Sequence, residues 1–168
     1  INRFLNPKKA VCRGKIYDLD VQVRDIFKFQ GISAFVATDT VFINQIPYGE
    51  VTGNLDMEHA NAPLAWKMFL NYQQQKLRVA GAWLPGGQVA VTVPDVDVTV
   101  KPGEFQTNVN AVNFPLSIIE TFIPGISKTS GKMDADARLG GTFSRIGMNG
   151  AVNIREGQLQ IDYLKAMY

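Results

Sequence analysis

Three runs in the C-terminal third of the chain alternate apolar and polar residues with a strict period of two. Met133, Ala135, Ala137 and Leu139 alternate with Lys132, Asp134, Asp136 and Arg138. Gly150, Val152 and Ile154 share one parity, and Ala151, Asn153 and Arg155 the other. Leu159, Ile161 and Tyr163 alternate with Gln158, Gln160 and Asp162. A strand sends successive side chains to opposite faces, so this pattern predicts strands with one apolar and one wetted face. Gly140-Gly141 and Glu156-Gly157 sit where turns are expected.

The same period runs through the rest of the chain. Residues 1–10, with Asn6-Pro7, read as a polar lead-in. Ile16, Leu19, Val21 and Val23 then alternate among polar residues, with a slip at Tyr17-Asp18 that predicts a bulge or break. Ile46-Pro47-Tyr48-Gly49 reads as punctuation before Val51, Gly53, Leu55 and Met57. Over 61–72, Asn61 and Pro63 would suit a helix start, but Trp66, Met68, Leu70 and Tyr72 share a strand face. A strand is favoured, because Gln73-Gln74-Gln75 then turns it into a hairpin with Leu77, Val79, Gly81 and Trp83.

Leu84-Pro85-Gly86-Gly87 predicts a turn before Val89, Val91 and Val93. Val96, Val98 and Val100 resume after Pro94 with changed parity, which predicts a strand kinked over 94–96. Lys101-Pro102-Gly103-Glu104 turns into Phe105, Thr107, Val109 and Ala111. Leu116, Ile119 and Phe122 give Pro115 to Phe122 a helical stripe, too short to be stable without docking on the sheet.

Length and composition limit the function. At 168 residues and 46% hydrophobic, the chain can build one domain with a real core. It begins at Ile1, so it reads as a piece of a longer protein, a single β-rich domain over 1–168. The best candidate for a membrane span, 114–126, is broken by Pro115, Glu120 and Pro124. Seventeen Lys and Arg against fifteen Asp and Glu are scattered, with Lys8-Lys9 the only adjacent basic pair, so no nucleic-acid footprint is present. The single cysteine, Cys12, excludes an internal disulfide and a multi-cysteine metal site.

Reactive constellations are absent from the pattern. His59 is the only histidine and lacks metal-ligand spacing with its neighbours. Asp134 with Asp136, and Asp95 with Asp97, share strand parity as calcium ligands or paired carboxylates could, and as the wet side of any half-solvated strand does. Leu139-Gly140-Gly141-Thr142 lacks the Gly-Lys-Ser/Thr ending of a phosphate loop. Trp66, Tyr72 and Trp83 fit a carbohydrate platform or, more often, cross-strand packing. No enzyme, no metal and no cofactor is expected. The apolar face supplied by nearly every strand must be covered, either by a second sheet in a closed sandwich or by curling around an open groove.

Residues 114–164 carry a resemblance. Phe114-Pro115-Leu116, Pro124-Gly125, Ser130-Gly131-Lys132-Met133-Asp134-Ala135-Asp136, Leu139-Gly140-Gly141-Thr142-Phe143, Asn149-Gly150 and Glu156-Gly157-Gln158-Leu159 occur in that order. The stretch resembles the C-terminal region of the TamB/AsmA-like family of bacterial envelope proteins, with Arg145-Ile146-Gly147 where the family commonly has a proline. The resemblance implies an all-β fold: an elongated, curled, antiparallel-rich sheet (a β-taco) with a hydrophobic concave groove and one short helix. It further implies a periplasmic segment of a Gram-negative protein, anchored in the inner membrane through an N-terminal part outside these residues. Phospholipid acyl chains would move along the groove between the inner and outer membranes, in support of outer-membrane biogenesis.

Each buried CH₂ contributes about 0.8 kcal/mol, so an acyl chain left in water costs on the order of 10 kcal/mol. A continuous apolar trough removes most of that cost without holding the lipid by directional bonds. The expected lining is Leu55, Met57, Val79, Val91, Val109, Met133, Leu139, Val152, Ile154, Leu159 and Ile161. Two alternatives stand beside transport. One is a β-strand interaction module that assists assembly of outer-membrane barrels with an Omp85-type partner, TamA. The other is a plain β-sandwich binding domain.

Overall fold

The computed structural model describes residues 12–25, 30–43, 46–118, 120, 126–161 and 166–167. The lead-in at 1–10, Phe122, Pro124-Gly125 and Tyr163 lie outside the described residues. Strand is the dominant state: β1 (Cys12–Arg13), β2 (Ile16–Asp25), β3 (Gln30–Ile43), β4 (Ile46–Met57), β5 (Leu64–Tyr72) and β6 (Gln75–Trp83) come first. β7 (Val91–Val93), β8 (Val98–Val100), β9 (Phe105–Pro115), β10 (Ile126–Thr142), β11 (Arg145–Ile161) and β12 (Ala166–Met167) follow. Ten of these strands form one antiparallel sheet in the order β1-β3-β4-β5-β6-β9-β10-β11-β12, with β2 beside β1 along β3. The sheet is open. Among the described residues, its two margins do not pair with each other.

In an antiparallel ladder, residues directly opposite one another project to the same side. One row across the sheet reads Val21, Ala34, Leu55, Trp66, Gly81, Thr107, Leu139 and Met148. The next reads Leu19, Val36, Gly53, Met68, Val79, Val109, Ala137 and Gly150. Thr107 is the one polar member of either row. The opposite side of the same strands carries Asn54, Asp56, Lys67, Arg78, Asn110, Asp136, Arg138 and Asn153. Alternation along each strand therefore becomes an apolar face and a polar face of the whole sheet.

The apolar face is concave. Neighbouring strands are spaced by about 4.8 Å, so β4 and β9, three steps apart, would be about 14 Å apart in a flat sheet. Yet the Tyr48 and Phe114 rings, one from each, meet with centroids 5.7 Å apart above Leu70 and Ala111. Close approach at Gly81 shows the same curl. A Cβ there would stand 2.4 Å from the Gln106 carbonyl oxygen and 2.8 Å from Thr107 Cα on the neighbouring strand.

The chain between β6 and β9 leaves the sheet and returns to it. Leu84 N–H donates to the Glu104 carbonyl (3.1 Å) and Gly103 N–H to the Leu84 carbonyl (2.7 Å), which clamps the base of the excursion. Within it, β7 and β8 pair as a hairpin across the 3-10 turn Pro94–Val96, with Asp97 in the left-handed region at φ 53°. Val96, Val98 and Val100 pack on Leu84, Ala80 and Ala82, with Ala65 at the margin. Small side chains on the polar face thus make the seat on which the hairpin docks.

Several local expectations change. The proline at 94 reverses the chain instead of kinking one strand. Ile46 to Gly49 is strand, with a bulge, and not a break. Gly140-Gly141 continues β10, and the turn falls on Phe143-Ser144, where Arg145 N–H donates to Thr142 Oγ1 (3.2 Å). Glu156-Gly157 is a bulge inside β11, with Glu156 at φ 52°, so the second and third alternating runs are one strand. The short helix expected over Pro115 to Phe122 is represented by the 3-10 turn Leu116–Ile118 and by Glu120, which is helical; Ile119, Thr121 and Phe122 lie outside the described residues. The slip foreseen at Tyr17-Asp18 is present as a register shift between Ile16 and Asp18.

Candidate functional site

The trough formed by the apolar face is the feature with the greatest chemical potential. Leu55, Val79, Val109, Leu139 and Val152 lie on it through the strand registers, as do Met57 opposite Ile32 and Met133 opposite Ile154. The bulge at Glu156 keeps the face continuous. A Cβ on Gly157 would point at Ile154 Cγ2 and Leu116 Cδ2, so Leu159, two residues on, shares that side. Ile161 is paired with Ile126, and its side chain lies outside the described residues.

Val91 is the exception. It belongs to the β7–β8 hairpin and packs toward Ala80 and Ala82, on the opposite side of the sheet from Val79. Its parity within its own run carried no information about which sheet that run joins. Conversely, Trp66, Met68, Leu70 and Leu77 stand on the trough side, as do Leu19, Val21, Ile146 and Met148. Their parity in the same alternating runs was the signal that marks them.

Exposure divides the lining into floor and rims. Leu55, Trp66, Met68, Val79 and Val109 on the middle strands are half-buried, although among the described residues no second sheet lies over them. Toward the margins, Leu19 is 61% exposed, Met148 74% and Ile154 48%. A closed sandwich would bury these side chains; an open trough leaves them wet at the rims.

The two ends differ. At one, Tyr48, Phe114, Leu70 and Ala111 form a buried cluster joined by Ile43, Leu77, Ile118 and Met133. Leu116 of the 3-10 turn is also buried at this end. Two bulges build this plug. Tyr48 is the extra residue between the pairs Val41–Gly49 and Phe42–Pro47, and Gly49 takes φ 96°, which a side chain would resist. Asn113, at φ 53°, does the same before Phe114, between the pairs Ala135–Ala111 and Met133–Phe114. Each bulge changes the parity of its strand and swings an aromatic ring onto the apolar face.

Polar groups pin these positions from both sides. Asn113 N–H donates to Asp134 Oδ1 (2.8 Å), and the Arg155 guanidinium bridges Asp134 Oδ2 (2.7 Å) and the Asn113 side-chain oxygen. Tyr48 Oη lies 3.3 Å from Ser117 Oγ. Burial pushes the Tyr48 phenol up from its ordinary value; the nearby Glu120 charge adds to the rise and the Ser117 hydrogen bond opposes it. At the other end, Phe143 meets Trp83 edge-on (5.7 Å) and stacks on Phe105 (5.3 Å), forming an aromatic rim.

Two of the four carboxylates singled out by spacing have structural partners. Asp134 holds the Asn113 bulge, and Asp95 pairs with Lys67 (3.4 Å), tying the hairpin to the polar face. Asn108 Nδ2 donates to the Val96 and Asp97 carbonyls beside it. A recess of about 630 Å³ opens there, between the hairpin and residues such as Phe35, Asn54 and Asp56. His59 is exposed in the loop before β5. Trp83 belongs to the aromatic rim, while Tyr72 stands at the opposite end of β5–β6, so the three aromatics do not form one platform.

No family model, curated protein or solved structure matches the chain.

Proposed function

We propose that the protein shields phospholipid acyl chains in its concave apolar trough, as a segment of a TamB/AsmA-like bridge between the inner and outer membranes of a Gram-negative envelope. The observation that carries this reading is the apolar face that runs across β2 to β11, concave and, among the described residues, without a covering layer. Half-exposed Val, Ile, Leu and Met side chains are costly to leave in water unless something apolar visits them. Acyl chains match this lining, because they need area and shape more than directional bonds. Among the described residues the trough floor offers no charged group to hold a lipid in place, which suits passage better than storage. Headgroups would stay at the wet rims. Periplasmic location and an inner-membrane anchor belong to the same proposal; among the described residues no helix is long and apolar enough to cross a membrane.

Native mass spectrometry of the purified protein, with extraction and identification of bound lipid, tests the reading. Co-purifying phospholipid that is depleted in Ile154→Arg supports it. A folded protein that carries no lipid, and takes up none from phosphatidylethanolamine vesicles, overturns it.

A further inference from the structure

The polar face of the sheet carries two large apolar side chains. Phe35 on β3 stands opposite Asn54, and Phe69 on β5 stands opposite Arg78. They differ in what lies over them. Arg78 holds its guanidinium 5.7 Å from the centroid of the Phe69 ring, where a cation is drawn to the negative face of an aromatic system. Phe35 instead lines the recess of about 630 Å³ between the β7–β8 hairpin and the polar face of β2 to β5. That volume is in the range of small-molecule sites.

Charge around the recess is mostly of one sign. Asp20 stands directly opposite Phe35 on β2, and Asp56 lies diagonally across on β4, two residues beyond Asn54. Glu58 also lines the recess, and Asp95 faces it from the hairpin, where it bridges to Lys67 (3.4 Å). Lys67 is the one cation of the lining. Arg24 lies over Gly31, whose N–H donates to the Glu58 carbonyl, so it stands beside that end of the recess. With Arg24 counted, four carboxylates still face two cations. The carboxylates are spread around an aromatic floor. Among the described residues, no three acidic, histidine or cysteine side chains gather as a metal ion would need. Val91, Val93 and Pro94 supply a hydrocarbon wall on the hairpin side.

We propose that this recess binds a small organic cation, an ammonium or guanidinium group carried on a hydrocarbon body. The charged group sits over Phe35 near Asp20 and Asp56, as Arg78 sits over Phe69, and the body lies against Val91 and Val93. The carboxylates select the sign of the ligand. The ring favours a bulky cation over a compact metal ion, and the valines favour a hydrocarbon tail. The recess is on the opposite side of the sheet from the trough, so this site stands whether or not the trough carries lipid.

Isothermal titration calorimetry with three probes of matched body, hexylammonium, hexanol and hexanoate, tests the proposal. Hexylammonium is expected to bind at least tenfold more tightly than the other two, and more weakly as salt is raised. Asp20→Asn combined with Asp56→Asn, both exposed side chains, should weaken its binding at least tenfold. Phe35→Leu, which keeps an apolar floor but removes the ring, should weaken it about threefold. Ile154→Arg, on the trough side, should leave it unchanged. No uptake of hexylammonium at millimolar concentration overturns the proposal, as does equal binding of hexanol or hexanoate. Undiminished binding by the double asparagine variant or by Phe35→Leu overturns it too, and loss of binding in Ile154→Arg would move the probe to the trough and so overturn it as well. Circular dichroism confirms that each variant retains its strand content.

Discussion

The ring of Tyr48 on β4 lies 5.7 Å from that of Phe114 on β9, although β5 and β6 separate the two strands. Both residues stand beside a bulge with a positive φ, and both are about 1% exposed. The pair closes one end of an otherwise open sheet, so it sets how far the sheet curls. Removing it should cost far more than removing a rim residue. Phe114→Ala is expected to lose about 3–5 kcal/mol of stability, and Val152→Ala, 55% exposed, no more than about 0.5 kcal/mol. Urea titration followed by tryptophan fluorescence compares them directly.

Tyr48 also makes stability depend on alkaline pH. Its folded pKa is raised above the ordinary 10.0, chiefly by burial. The unfolded chain therefore releases this proton first as pH rises, and the released form favours unfolding. The contribution is whole below the unfolded value and is lost as pH climbs through the folded one. Tyr48→Phe should cost about 1 kcal/mol at neutral pH through the lost Ser117 hydrogen bond, and should flatten part of the alkaline decline. Unfolding titrations at neutral pH and above pH 10 give both quantities. An unchanged alkaline slope in the variant would contradict the assignment.

The curl has a second determinant in Gly81. Any side chain there must displace β9, because the nearest atoms are the Gln106 carbonyl oxygen (2.4 Å), Thr107 Oγ1 (2.7 Å) and Thr107 Cα (2.8 Å). Gly81→Val is expected to lose at least about 2 kcal/mol, since a backbone strand cannot move aside as a side-chain tip can. The same valine at Gly86, where a Cβ meets nothing within 4 Å, should be nearly neutral.

Period-two alternation made the apolar face legible residue by residue, because strand geometry ties parity to side. What it could not convey was any feature set by a neighbouring strand. Tyr48 and Phe114 reach the apolar face through bulges that exist only relative to the registers with β3 and β10. Glu156-Gly157 has the composition of a turn, yet β10 continues opposite it and draws the chain straight on as β11. Val91 alternates as regularly as Val79, but belongs to a hairpin seated on Ala80 and Ala82. Those two alanines, with Ala65, are small residues in a mostly polar parity that also carries Phe35 and Phe69. They were the available sign that something docks on the wet face.

Val91 and Ile154 therefore provide a contrast that tests the trough by its sidedness. Ile154→Arg puts a charge on the rim at a position 48% exposed, so the protein should keep its fold and lose acyl-chain binding at least tenfold. Leu159→Arg, further along the same strand and face, should act in the same direction. Val91→Ser removes a comparable apolar side chain, but from the hairpin on the other side; it should loosen that hairpin by about 1–2 kcal/mol and leave binding unchanged. Fluorescent fatty-acid titration measures binding in all three, and circular dichroism measures the fold. If Ile154→Arg and Leu159→Arg both unfold the protein, these side chains are enclosed and the open trough is wrong. If Val91→Ser weakens binding as much as Ile154→Arg, the ligand uses the hairpin face, and the polar recess there becomes the site to pursue.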